Sequence, residues 1–268
     1  MSLVFAAIVP HSPSTLPGME APGNTLEKTR AALKELEGEL YVMQPDTILL
    51  VSPHAPANQG CFSVNFSPEF ICTYEDFGDA ATSLRLHGDI EFVSKIREYA
   101  DEHHDDGGCP VNVITQPELD YGSAVALYHL TQHLPAVKIV PVSLAQLCIE
   151  DHYKFGQMLR SVALKSNKRI ALICSAELGH TLSADSEHGY HPAGETFDKT
   201  VLDAIKSGDL DQLQSLNLEL AESAQSVGEF RTLVLLSGAL SSAGIKSQVL
   251  SYEIAHGSGL LVAQFSLI

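Results

Sequence analysis

Val4-Phe5-Ala6-Ala7-Ile8-Val9 runs into Pro10-His11-Ser12-Pro13, and the same figure returns as Thr47-Ile48-Leu49-Leu50-Val51 running into Ser52-Pro53-His54-Ala55-Pro56. A looser third copy is Ile170-Ala171-Leu172-Ile173-Cys174, followed by Ser175-Ala176-Glu177-Leu178-Gly179-His180. Apolar runs of this length, bounded by breakers, read as strands buried on both faces, and such strands belong mostly to parallel sheets. Parallel strands deliver all three histidines to the carboxyl edge of one sheet, where open α/β sheets bind ligands. The prolines fix φ and stop each strand, so the imidazole sits on a stiff loop. Three imidazoles on one rim make a metal site the leading expectation.

Outward from these runs, strand and helix patterns alternate. Asn24-Thr25-Leu26-Glu27 has the shape of a capping box and opens a helix carrying Leu26, Leu33, Leu36 and Leu40. Alternation from Cys61 to Tyr74 predicts two half-exposed strands. A helix spans Ile90 to Ala100 and closes in the polar run Glu102-His103-His104-Asp105-Asp106, read as a solvated helix end. Val111–Ile114 and Val137–Leu144 read as strands, Asp151–Leu164 as an amphipathic helix, and another helix passes through Leu127 and Leu130. A helix around Phe197, Val201 and Ile205 follows, then short helical pieces to Ala224. Gly228-Glu229-Phe230-Arg231 opens a strongly apolar helix through Leu240, ended by Gly244, and the strands Val249–Tyr252 and Leu260–Phe265 finish the chain. With no Ser/Pro-rich linker, residues 1–268 read as a single α/β domain, its central sheet mostly parallel or mixed and flanked by helices.

The chain is 45% hydrophobic and 18% charged, ordinary for a globular protein, and carries a net charge of −17. Its basic residues are scattered, which speaks against nucleic acid and anionic membrane surfaces as partners, since phosphate contacts need clustered Lys and Arg. Five cysteines without a CxxC pair support neither a zinc ribbon nor a thioredoxin-like motif and read as reduced thiols. No stretch has the length of a membrane span, and the first apolar run lacks a basic lead, so a cytoplasmic location is expected.

Two neutral imidazoles plus one carboxylate suit a ferrous or zinc ion. Alone, His11 or His54 could simply cap its strand; in matching contexts the two favour a metal. For the carboxylate, Glu177 lies near His180, while Glu229 stands at the mouth of an apolar helix, where an acidic residue also complements the helix dipole. Pattern alone does not choose between them.

Taken in order, Val9-Pro10-His11-Ser12-Pro13, Ser52-Pro53-His54-Ala55-Pro56, Glu177-Leu178-Gly179-His180 and Tyr190-x-Pro192-x-Gly194-x-x-Phe197-Asp198 resemble the class III extradiol ring-cleaving dioxygenases. These are enzymes like the catalytic B subunit of protocatechuate 4,5-dioxygenase, a superfamily that includes the Memo proteins. The resemblance implies His11, His54 and Glu229 as ligands of Fe(II), with Zn(II) or Mn(II) as alternatives, and His180 as an acid/base that does not bind metal. Memo-like proteins carry a cysteine in place of Glu229, which favours the dioxygenase branch. Where many members have a histidine, this chain has Tyr121, and their Leu-Ser-His reads Leu178-Gly179-His180. Tyr121 and Arg231 are then candidates for the substrate or oxygen pocket, Arg231 facing an anionic group.

The activity so implied is opening of a catechol-type or aminophenol-type ring with dioxygen, in a homo-oligomer or with a second subunit. The alternatives are a zinc hydrolase using the same ligands, a non-catalytic Memo-like interaction protein, and a metal-poor partner subunit.

Overall fold

The computed structural model describes residues 3–19, 26–103 and 108–267. Along them run β1 (Leu3–Val9), α1 (Glu27–Met43), β2 (Thr47–Ser52), β3 (Phe62–Asn65), β4 (Glu69–Tyr74), β5 (Asp79–Gly88), α2 (Ile90–Glu102), β6 (Val111–Ile114) and α3 (Tyr121–Leu130). Then follow β7 (Lys138–Ser143), α4 (Ile149–Lys165), β8 (Ile170–Ser175), α5 (Pro192–Ser207), α6 (Leu218–Ser223), α7 (Val227–Leu240), β9 (Ile245–Ala255) and β10 (Ser258–Leu267).

The strands join one mixed sheet in the order β4-β5-β7-β2-β8-β1-β10-β9, with β3 also on β7 and β6 beyond it. Its centre is parallel: β7, β2, β8 and β1 run side by side, and Ile8 and Val51 both align with Cys174. All three strand–histidine runs therefore end on the same edge. The hairpin β9–β10 closes the β1 side antiparallel.

Successive residues of these strands face opposite cores, which is why their sequence shows no alternation. Ile8, Leu49, Val51 and Leu172 pack with Phe92, Phe155, Phe197 and Phe230 on one face. Phe5, Ala7, Ile48, Leu50 and Ile173 pack with Leu33, Leu36, Leu40 and Leu127 on the other. Helices cover both faces, as a parallel sheet requires. Pro141 is tolerated inside β7 because of where its neighbours change. On the side away from β2, β5 pairs only with Lys138 and Ile139, and β3 only with Val142 and Ser143.

Two expectations need correction, and one strand went unread. β3 is wholly buried instead of half-exposed, because it is sandwiched between β6 and β7. β5 went unread because its apolar alternation is short: Leu84 and Leu86 turn to the core among mostly polar or exposed neighbours. The apolar helix α7 ends at Leu240, before Gly244. Of the expected capping box, Asn24 and Thr25 lie outside the described residues, as do His104, Asp105 and Asp106; α1 itself starts at Glu27. No described helix is long and apolar enough to cross a membrane.

Two helix features generate predictions. The helices α4 and α7 touch through glycine: a Cβ on Gly156 would stand 2.0 Å from the Leu235 carbonyl oxygen. Gly156→Ala should therefore destabilise the protein by about 1–3 kcal/mol through overpacking, read as a lower urea midpoint at unchanged slope. The second feature is His129 of α3, which fastens the turn after His11. Thr15 Oγ1 gives its proton to the Ser12 carbonyl at 2.8 Å, so it accepts from His129 Nε2 at 2.9 Å. Burial, helped by the nearby Arg30, pulls His129 from 6.5 down to about 4. A depressed histidine favours the neutral folded form. Its contribution is complete above pH 6.5 and is lost as pH falls from 6.5 towards 4, because the unfolded chain takes up the proton first. His129→Gln, which can still donate to Thr15, should flatten unfolding free energy against pH across that window.

Candidate metal centre

The ends of β1 and β2 bring two imidazoles face to face. His11 Nε2 and His54 Nε2 lie 2.9 Å apart, with the rings nearly perpendicular at 85°. Glu229, in the first turn of α7 and only 5% exposed, offers a carboxylate oxygen to the same point. Donor atoms from His11, His54 and Glu229 all fall within 4.8 Å of one another.

Each member is held from behind. His11 Nδ1 faces Ser175 Oγ at 3.1 Å, and that hydroxyl donates to the Gly122 carbonyl at 2.8 Å. The hydroxyl proton is thereby spent, so His11 carries its own proton on Nδ1 and turns the Nε2 lone pair inward. Burial first, then the neighbouring His54 and His180, keep His11 well below the usual imidazole range, and His54 is lowered chiefly by burial. The His54 loop is tied by its backbone N–H to Ser52 Oγ at 3.2 Å. Ser52 in turn donates to Asp120 at 2.6 Å. Asp120 caps α3 by accepting from the Ser123 backbone N–H at 3.0 Å and hydroxyl at 2.7 Å. Gly122 is needed here: a Cβ would meet Ser52 Oγ at 2.8 Å and His54 Cδ2 at 3.0 Å. Gly228 likewise lets α7 approach the His54 loop, since its Cβ would stand 2.9 Å from Pro53.

His180 enters from beyond β8. Its Nε2 lies 3.6 Å from Glu229 Oε1, and its Nδ1 lies 2.7 Å from Ser258 Oγ and 3.7 Å from Glu177 Oε2. Burial alone would depress this imidazole, but Glu229, Glu177 and Asp198 outweigh it and hold it above its ordinary value. Burial lifts the Glu177 carboxyl to about 7, against the pull of His180. The Gly179 that replaces serine before His180 also has a steric cause. A Cβ there would stand 2.9 Å from both the Gly194 Cα and Asp198 Oδ1, which accepts the Gly179 N–H at 2.6 Å. Tyr252 Oη holds the other Asp198 oxygen at 2.6 Å.

Tyr121, 39% exposed, lies over the open side with its Oη 2.8 Å from His54 Nε2. The structure thus gathers His11, His54, Glu229, His180 and Tyr121. Arg231 lies elsewhere on α7, where its charge acts on the buried His152 of α4. Sequence reasoning gave no part to Ser175, Asp120 or Ser258. A serine closing β8, level with the end of β1, was a usable signal; Ser258, distant along the chain, offered none.

This fold belongs to a known class. The chain is a member of the family of the catalytic LigB subunit of aromatic ring-opening dioxygenase, whose profile matches residues 5–263. It is 29% identical to Protein CA_C1420 of Clostridium acetobutylicum over 97% of its own length, yet spans only 56% of that protein. It is 21% identical to the 2-aminophenol 1,6-dioxygenase beta subunit of a Pseudomonas species, covering 99% of this chain and 94% of that one. The crystal structure of the uncharacterized protein JW3007 from Escherichia coli K12 shares the fold, with a TM-score of 0.69 and 17% identity over 97% of this chain and 99% of that one.

The Ser175 contact makes the centre testable. Ser175→Ala should leave the circular dichroism unchanged and weaken zinc binding by about tenfold to a hundredfold, the usual cost of losing a partner behind a ligating histidine.

Proposed function

We propose that the chain is a non-haem Fe(II)-dependent extradiol dioxygenase acting on a catechol-type or aminophenol-type ring. The observation that supports this most is the pair of facing imidazole Nε2 atoms at 2.9 Å with a carboxylate beside them. Bonds of about 2.1 Å meeting at right angles leave cis donor atoms about 3.0 Å apart, so the residues fit a divalent ion. Two histidines and one carboxylate are also the donor set of non-haem iron oxygenases. When bound, Fe(II) supplies open coordination positions for a chelating aromatic and dioxygen.

His180 does the proton work in this reading. Its Nδ1 is engaged by Ser258, which leaves Nε2, the nitrogen facing Glu229, to take the proton of a substrate hydroxyl. The flanking carboxylates stabilise the imidazolium that results, and the same atom returns the proton when the ring opens. Tyr121 walls the open side. Arg231, beside His152, serves an anionic substituent only where that group reaches between α4 and α7. The likeness to an aminophenol dioxygenase beta subunit supports 2-aminophenols among the substrates and assembly as a homo-oligomer or with a second subunit. Residues 1–268 act as one catalytic unit, and the five unpaired thiols fit the cytoplasm.

Oxygen uptake by anaerobically prepared, Fe(II)-reconstituted protein against catechols, gallates and 2-aminophenols tests the proposal. Uptake with a new yellow chromophore is expected. His180→Ala should retain iron and lose turnover at least a hundredfold, within the range of about 10²–10⁴ for a lost acid/base. His11→Ala and Glu229→Ala should lose iron itself. Loss of iron in His180→Ala would show the roles to be misassigned, and tight zinc binding without any iron binding would favour the hydrolase.

A further inference from the structure

We propose that Tyr121 is a fourth ligand of the metal in the resting protein, and that it leaves when a chelating aromatic binds. This rests on the reading of His11, His54 and Glu229 as ligands. The Tyr121 Oη lies 2.8 Å from His54 Nε2, and His11 Nε2 lies 2.9 Å from that same nitrogen. Both distances match the separation of neighbouring donors around one ion, about 3.0 Å. In distance, the phenol oxygen therefore stands towards His54 Nε2 as His11 Nε2 does.

The ring is held for that task. Tyr121 is the first residue of α3, whose cap Asp120 is tied through Ser52 to the His54 loop. It lies against His54 with centroids 4.3 Å apart, and meets His11 and Phe77 edge-on at 5.7 and 5.9 Å. Burial and the carboxylates of Glu177, Glu229 and Asp120 keep the proton on the Tyr121 phenol of the metal-free site; a divalent ion held by two neutral imidazoles and one carboxylate would bring the positive charge that draws it off.

On coordination the phenol O–H bond breaks, the oxygen–metal bond forms from the oxygen's electron pair, and the proton passes to solvent. The metal keeps its oxidation state. When a chelating aromatic takes the position, the Tyr121 oxygen–metal bond would break and the tyrosine oxygen would take up one hydroxyl proton of the aromatic, leaving as neutral phenol.

Protein reconstituted with one equivalent of Fe(III) reads the contact directly, because a phenolate on ferric iron gives a visible charge-transfer band that imidazole and carboxylate do not. The expected result is a coloured wild type and a colourless Tyr121→Phe variant that retains its iron by metal analysis. In resonance Raman spectra, 4-nitrocatechol should replace the tyrosinate vibrations with catecholate ones. A colourless wild type carrying a full equivalent of iron would overturn the ligation and leave the three-residue site standing. A coloured Tyr121→Phe protein would also overturn it, because another of the eight tyrosines would then be the ligand. Persistence of tyrosinate vibrations beside catecholate ones would overturn the displacement. A wild type that takes up neither iron nor zinc would sink the metal reading and this one together.

Discussion

One hydroxyl ties the site to the sheet. Ser175, the last residue of β8, accepts from His11, just past the end of the adjoining β1, and donates to the Gly122 carbonyl at the start of α3. It sets the tautomer of a buried imidazole and fixes the helix that carries Tyr121 against His54. This works only because β8 lies between β1 and β2 in parallel register, so that the three strand ends are level. Parallel pairing demands a covered crossover between strands, and those crossovers are the helices that bury both sheet faces.

Buried acidic groups gather around His180. Glu177, Asp198 and Glu229 surround His180, and each is buried. Burial raises the first two carboxyls, to about 7 and about 6, so not all of these groups carry full charge near neutrality. His180, with partners of opposite charge, goes the other way. In the proposed reaction, an imidazole held above its ordinary value beside buried carboxyls takes a proton and gives it back.

Close packing explains residues that pattern alone made look like departures. Gly179 has no side chain because Gly194 and Asp198 fill the space one would need. Gly122 and Gly228 are small because His54 and its loop lie directly against them. The tight turn His256-Gly257, with φ of 51° and 78°, reverses the chain so that β10 starts with Ser258 beside His180.

By itself the sequence determined the α/β class, the three buried strands and the exit of His11, His54 and His180 from one edge. Uninterrupted apolar runs ending at prolines or polar loops have few other physical readings. It also held the family likeness, since short motifs in fixed order survive where identity is low. The tertiary structure alone decided the rest. Glu177 and Glu229 are equally acidic in sequence, but the first turn of α7 brings Glu229 to both Nε2 atoms, whereas Glu177 faces His180 Nδ1. β5 was missed because only Leu84 and Leu86 turn to the core, too short an alternation to stand out. Arg231, two residues past Glu229, looked like part of the same site, but about 200° of helical rotation carries it to the α4 side. Periodicity records which side of an element is buried; distances across the fold depend on how the elements pack.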